Sequence, residues 1–134
     1  MSKKILIVDD KDGNRKLFTV MLQKHGYETL EAENGKRGIE LAKEHIPHLI
    51  LMDIQMPIMD GLSALKILKS DHSTSSIPVI AITSYAKAGG KEKFLSEGFD
   101  GYISKPVNIK DFIKTVREIL ERISNERGNV APDY

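Results

Sequence analysis

Residues 49–53 read Leu-Ile-Leu-Met-Asp, four apolar side chains directly before a carboxylate. Two other runs of four apolar residues, 5–8 and 79–82, have the same character. Each run is too short for a helix, and its Ile, Val and Leu content is typical of a strand buried on both faces. The three runs therefore predict the central strands of a parallel sheet that helices cover on both sides.

Segments with the apolar spacing of helices separate these runs, and two shorter strand-like stretches lie among them, at residues 27–32 and 100–104. The clearest helical stripe falls within residues 112–123. Strand and helix then alternate five times, which predicts an α/β fold with right-handed crossovers. We expect a doubly wound (βα)5 fold, with a parallel five-stranded sheet of order 2-1-3-4-5 in a flavodoxin-like three-layer sandwich.

Composition excludes several classes of protein. The length of 134 residues indicates one domain, and the absence of Cys excludes a disulfide framework, a thiol nucleophile and a Cys-ligated metal. The net charge of +1 gives no general electrostatic argument for nucleic acid or a membrane surface. Apolar runs of four residues do not accommodate a transmembrane helix or a signal peptide, so we expect a cytoplasmic protein. Residues 125–134 lack periodicity and predict a flexible C-terminal tail.

Polar residues follow four of the predicted strands. Because the carboxyl ends of parallel strands meet at one edge of the sheet, we expect these residues to converge there. Two carboxylates about 4 Å apart repel by roughly 4 kcal/mol at an effective dielectric of about 20, and Mg²⁺ with its preference for oxygen ligands relieves such repulsion. A lysine and a hydroxyl add phosphate-binding groups, which points to phosphoryl transfer to or from aspartate. The residues are Asp9, Asp10, Asp53, Thr83, Ser84, Lys105 and Pro106.

These motifs, taken in order, resemble the response-regulator receiver domain of the CheY-like superfamily. Thr83 and Lys105 stand 30 and 52 residues after Asp53, and Asp53 opens the stretch Asp-Ile-Gln-Met-Pro-Ile-Met-Asp-Gly. The resemblance covers residues 3–124, the predicted receiver domain. The length is similar to that of the stand-alone regulators of chemotaxis and of the DivK-like cell-cycle group, which favours a stand-alone protein over a receiver excised from a hybrid kinase.

The resemblance implies a phosphoacceptor and a metal site. Asp53 is expected to take a phosphoryl group from phosphohistidine. Asp9, Asp10, Asp53 and the backbone carbonyl of Gln55 are expected to hold Mg²⁺, for which Mn²⁺ can substitute.

It also implies which groups hold the phosphoryl and respond to it. Lys105 is expected to bind a phosphoryl oxygen, with a cis peptide bond between Lys105 and Pro106. Thr83 and Tyr102 are expected to be the switch residues. Three residues are expected to modulate the phosphoryl site: Gln55, Ser84 and Tyr85.

The implied function is that of a bacterial two-component switch, not of an enzyme acting on a substrate. The expected partners are a histidine kinase or a histidine phosphotransfer protein, and a downstream target on the face formed by the fourth helix, fifth strand and fifth helix. We expect a monomer that contacts neither nucleic acid nor membrane.

Two other functions fit the same topology. An aspartyl-phosphate phosphatase typically has a second acid two residues after the nucleophile, where this chain has Gln55. A flavin-binding module favours a phosphate loop after the first strand, where Asp9, Asp10 and Asp12 would repel phosphate unless a metal intervened.

Overall fold

The computed structural model describes residues 2–84 and 90–129, with side chains up to residue 122. Five parallel strands form one sheet in the order β2-β1-β3-β4-β5, so the predicted α/β class and strand order are confirmed. The strands are β1 (Lys4–Val8), β2 (Glu28–Ala32), β3 (Leu49–Asp53), β4 (Val79–Thr83) and β5 (Gly101–Ser104). The helices are α1 (Asp12–Lys24), α2 (Gly35–His45), α3 (Gly61–Ser70), α4 (Gly90–Ser96) and α5 (Ile109–Asn129).

The apolar runs are the central strands because both of their faces are covered. Every residue of β3 and β4 is buried. Alternate residues of β1 belong to two cores: Ile5 and Ile7 pack with α1 and α5, whereas Leu6 and Val8 pack with α2 and α3. The carboxyl ends of the strands, where polar residues begin, therefore lie at the edge of the sheet between the two layers of helices.

The two helices that begin nearest β2 and β3 start at capping side chains. The Asn34 carboxamide accepts from the Arg37 N–H at 2.8 Å, and the Asp60 carboxylate accepts from the Ser63 N–H at 2.7 Å. Each side chain satisfies a backbone donor that the first turn of a helix leaves open. Capping at Asp60 fixes the start of α3 at Gly61.

The last helix is longer than the sequence pattern predicts. α5 continues to Asn129, so residues 125–129 of the predicted tail are helical. Glu126 and Arg127 are good helix formers, whereas Asn125 and Gly128 are poor ones, so helix propensity alone does not explain the extension. Residues 130–134 lie outside the described residues. Within the described part of the chain, no helix is both long and apolar enough to cross a membrane.

Candidate functional site

Three carboxylates converge where β1 and β3 end side by side. Val8 pairs with Met52 in the parallel register, so the next residues, Asp9 and Asp53, are neighbours at the sheet edge. One ligand oxygen from each of Asp9, Asp10 and Asp53 lies within 4.8 Å of the other two. Asp9 and Asp53 are only 1% and 2% exposed. The predicted acidic cluster is therefore present in the fold.

Backbone groups hold two of these carboxylates. Asp9 Oδ1 accepts from the Lys11 N–H at 2.9 Å, and Asp53 Oδ1 accepts from the Gln55 N–H at 3.1 Å. Asp9 Oδ2 and Asp10 Oδ1 are buried without a hydrogen-bond partner among the described residues. Buried carboxylate oxygens without a donor are costly, and hard cations such as Mg²⁺ bind oxygen ligands of this kind. The residues present thus fit a divalent cation.

Lys105 brings a positive charge to the same cluster from the end of β5. Its Nζ lies 3.4 Å from Asp53 Oδ2 and 3.9 Å from Asp9 Oδ2. The Lys105 N–H donates to the Thr83 carbonyl at 2.8 Å, which continues the β4–β5 ladder up to the site. The Lys105–Pro106 peptide bond is cis, as the family resemblance implies.

The surroundings of Asp53 raise the pKa of its carboxyl. Burial raises the pKa of Asp53 above its usual 3.8, and the negative charge of Asp9 raises this pKa further. The Gln55 N–H and the Lys105 ammonium act in the opposite direction without cancelling the rise. One lysine therefore does not neutralise the cluster, which gives the site an affinity for added positive charge.

The remaining predicted residues lie around this centre or beyond it. Asp53 pairs with Ile82, which places the fully buried Thr83 at the next position of the adjacent strand. The Ser84 hydroxyl donates to Gln55 Oε1 at 2.8 Å across the mouth of the site. Tyr85 lies outside the described residues.

Tyr102 lies farther down the sheet. It pairs with Ala81, two positions before Thr83, and is half-buried. Its ring stacks on Phe94 of α4 with ring centroids 5.7 Å apart. Tyr102 thus connects β5 to α4 and is not part of the carboxylate cluster.

Two residues near the site were not predicted. Arg15 of α1 donates to the Asp9 carbonyl at 2.7 Å and forms ion pairs with Asp12 and Glu31. Arg15 lies about one helical turn after the Asp9–Asp10 pair and faces back toward the β1–α1 turn. This spacing is the sequence signal for the contact.

Gly61 was also overlooked, although it follows the Asp60 cap directly. A Cβ at Gly61 would lie 2.6 Å from the Asp53 carbonyl oxygen and 2.9 Å from the Ile54 Cα. Only glycine permits α3 to begin this close to the end of β3.

Comparison with known proteins places this arrangement in a family. The chain matches the family described as the response regulator receiver domain over residues 5–117. This protein therefore belongs to the response regulator receiver domain family, and its class is that of two-component signalling proteins. Family membership favours the receiver interpretation over the phosphatase and the flavin module.

Two relatives within this family indicate which group of response regulators the chain resembles. The chain is 44% identical over 120 residues to the polar-differentiation response regulator DivK of Brucella anthropi, which covers 90% of this chain and 98% of that protein. It is 43% identical over the same length to DivK of Brucella ovis. The chain is thus DivK-like.

Solved structures agree with the fold. A CheY-like receiver domain protein of Methanospirillum hungatei superposes with a TM-score of 0.85 at 30% identity, covering 94% of this chain and 99% of that one. Chemotaxis protein CheY4 of Vibrio cholerae superposes with a TM-score of 0.82 at 26% identity, covering 89% and 99% of the two chains.

Proposed function

We propose that this chain is a phosphorylation switch in which Asp53 accepts a phosphoryl group from a histidine kinase or a histidine phosphotransfer protein. The observation that carries the proposal is the position of Lys105 Nζ, 3.4 Å from Asp53 Oδ2, while the oxygens of Asp9 and Asp10 flank the same carboxylate. The Asp53 carboxylate therefore has both a phosphate-binding cation and oxygen ligands for a metal as close neighbours.

The transfer follows from the arrangement of these groups. An Asp53 oxygen forms a bond to phosphorus, the bond between phosphorus and the donor imidazole nitrogen breaks, and the imidazole leaves with the electron pair. Lys105 binds a phosphoryl oxygen, and the Gln55 N–H holds the Asp53 carboxylate in orientation. Asp9, Asp10, Asp53 and the Gln55 carbonyl would hold Mg²⁺ or Mn²⁺, which when bound neutralises charge on the carboxylates and the phosphoryl oxygens.

The switch is proposed to pass from Thr83 to Tyr102. A phosphoryl group adds about −1.5 to −2 charge at pH 7, and we propose that Lys105 and the Thr83 hydroxyl, from the ends of β5 and β4, bind it. Movement of Thr83 changes the space open to Tyr102, which stacks on Phe94 of α4. The surface formed by α4, β5 and α5 is therefore proposed to bind the downstream target, through a shift between two states that the phosphoryl group stabilises differently.

Three residues are proposed to modulate the phosphoryl site: Gln55, Ser84 and Tyr85. Gln55 and Ser84 support this role because their side chains meet at the mouth of the site. The unit that carries the function is proposed to be residues 3–124.

Labelling of the intact protein tests the proposal. Incubation with Mg²⁺ and phosphoramidate is expected to add one acid-labile phosphoryl group to the wild type and none to Asp53→Asn, as measured by intact-protein mass spectrometry. Asp60→Asn is the matched control, because this exposed cap on the same β3–α3 connection does not contact Lys105. Undiminished labelling of Asp53→Asn, or loss of labelling in Asp60→Asn alone, would contradict the assignment.

A further inference from the structure

One side-chain hydrogen bond spans the mouth of the site. The Ser84 hydroxyl donates to Gln55 Oε1 at 2.8 Å, between residues 29 apart in the chain. It joins the loop after β3 to the loop after β4. Both side chains are exposed at this mouth, where solvent meets the carboxylate cluster.

Each partner of this bond adjoins a residue of the proposed phosphoryl site. The Gln55 N–H donates to Asp53 Oδ1 at 3.1 Å, so the residue that carries the carboxamide also orients the proposed phosphoacceptor. Ser84 directly follows Thr83, which is fully buried at the end of β4. Because the Gln55 side chain is longer than that of Ser84 and has more rotatable bonds, the hydrogen bond mainly restricts the torsions of Gln55.

We infer that Ser84 and Gln55 act as one unit, here called the clasp, which orients the Gln55 carboxamide and lengthens the lifetime of phosphorylated Asp53. The inference rests on the proposed function and adds a positioning role for Ser84. It also predicts that the two residues are energetically coupled and do not act as two separate modulators.

The chemistry of the carboxamide explains why its orientation matters. A carboxamide has an acceptor oxygen and a donor NH₂ group. In the clasp, Oε1 is engaged by Ser84 and the NH₂ group is the part left to donate, for which the phosphoryl oxygens are suitable acceptors. A freely turning Gln55 would instead offer Oε1 to an approaching water molecule and orient that water for attack.

Attack by this water ends the phosphorylated state. The water oxygen forms a bond to phosphorus, the bond from phosphorus to the Asp53 oxygen breaks, and the Asp53 carboxylate leaves with the electron pair. Both protons of the water remain on the released dihydrogen phosphate. An acceptor positioned for this water is a general contribution to hydrolysis. The clasp slows the reaction because it fixes the carboxamide with Oε1 directed at Ser84, an orientation in which Oε1 does not position the water.

A double-mutant cycle on the dephosphorylation rate tests the clasp. The wild type, Ser84→Ala, Gln55→Leu and the double variant are labelled with phosphoramidate, freed of donor, and followed by intact mass at constant Mg²⁺. We expect Ser84→Ala to lose the phosphoryl group about three- to tenfold faster, as loss of one exposed hydrogen bond implies. The double variant is expected to match Gln55→Leu alone, because without the carboxamide the Ser84 hydroxyl has nothing to orient.

Two further variants distinguish a positioning role of the Ser84 hydroxyl from an unspecific effect of substitution on the dephosphorylation rate. Ser84→Thr keeps the hydroxyl and is expected to retain the slow rate. Ser75→Ala, which removes a hydroxyl from the partly exposed connection between α3 and β4 at the opposite edge of the sheet, serves as the control. A Ser84→Ala effect that persists undiminished in the Gln55→Leu background, or equal acceleration by Ser84→Thr, overturns the clasp while leaving Asp53 as the acceptor. A wild type that takes no label overturns the proposed function itself, and the clasp with it.

Discussion

The two halves of the site are held in different ways. In the acidic half, at the ends of β1 and β3, Asp9 and Asp53 are buried and accept hydrogen bonds from backbone N–H groups only two residues away. In the cationic half, at the ends of β4 and β5, Lys105 extends a flexible side chain and approaches the carboxylates only to 3.4 and 3.9 Å.

The difference shows which half is preorganised and which adapts. The carboxylates are kept close together by the sheet despite their repulsion, so the acidic half does not need to move when positive charge or a phosphoryl group arrives. Beside the cationic half, α4 has no buried residue over its seven positions and packs on β5 through the stack of Phe94 and Tyr102. Movement on phosphorylation is therefore expected on the β4–β5 side.

The largest expected effect on stability comes from a substitution that disturbs the packing of the acidic half. Gly61→Ala is expected to lower the free energy of unfolding by about 2–3 kcal/mol, because its Cβ would overlap backbone atoms at the end of β3. Gly13→Ala is the control: that position is open and lies in α1, so the free energy of unfolding should rise by about 0.5–1 kcal/mol. Urea denaturation measures both, and equal effects of the two variants would show that the acidic half is not tightly packed.

A smaller effect is expected from relieving the repulsion between the carboxylates. Metal-free Asp53→Asn should melt above the wild type, since burial and Asp9 raise the pKa of the carboxyl that it replaces. The folded state binds this proton more tightly than the unfolded state. The stability contribution of Asp53 is therefore present at acid pH and is lost as the pH rises through the raised pKa. The difference in melting temperature should thus grow from pH 4 to pH 7, where 1 kcal/mol corresponds to about 3–6 °C.

Asp60 lies on the β3–α3 connection that follows Asp53, and its contribution to stability has the opposite pH dependence. Its pKa is lowered by the backbone and side-chain hydrogen bonds from Ser63, so its contribution is present at neutral pH and lost as the pH falls through the lowered value. Asp60→Ala should therefore destabilise the protein at pH 7 by about 1 kcal/mol, as loss of a helix cap does.

For Asp53→Asn, a metal-free melting temperature below that of the wild type at pH 7, with unchanged circular dichroism, would argue against repulsion between the carboxylates.

The smallest expected effect, on the affinity for Mg²⁺, comes from a substitution in the cationic half. Lys105→Gln should bind Mg²⁺ about three- to tenfold more tightly than the wild type, because a positive charge near the carboxylates opposes a second cation. Lys114→Gln on the exposed side of α5 is the matched control and should leave the affinity unchanged. Isothermal titration with MgCl₂ measures both, and weaker binding by Lys105→Gln would mean that this lysine supports the metal ligands and does not compete with the ion.

The sequence predicted the convergence of the acids, because that follows from topology. A parallel sheet of order 2-1-3-4-5 brings the ends of β1 and β3 together, so Asp9 and Asp53 meet whatever their rotamers are. The sequence did not reveal that Arg15 binds the Asp9 carbonyl or that Ser84 bonds to Gln55. These contacts depend on side-chain torsions and on distances between loops, which no periodic pattern encodes.

The amino-acid pattern alone indicated the class of fold and the sheet edge at which the polar groups lie, since short apolar runs followed by polar side chains, alternating with helical segments, are typical of a covered parallel sheet. Tertiary structure decided which oxygens are left without donors, how far Lys105 stands from Asp53, and that α3 begins where only Gly61 fits. The reason is physical: burial pattern is a local property of side chains, whereas charge balance and close packing are set by atoms that are distant in the chain and meet only in the folded state.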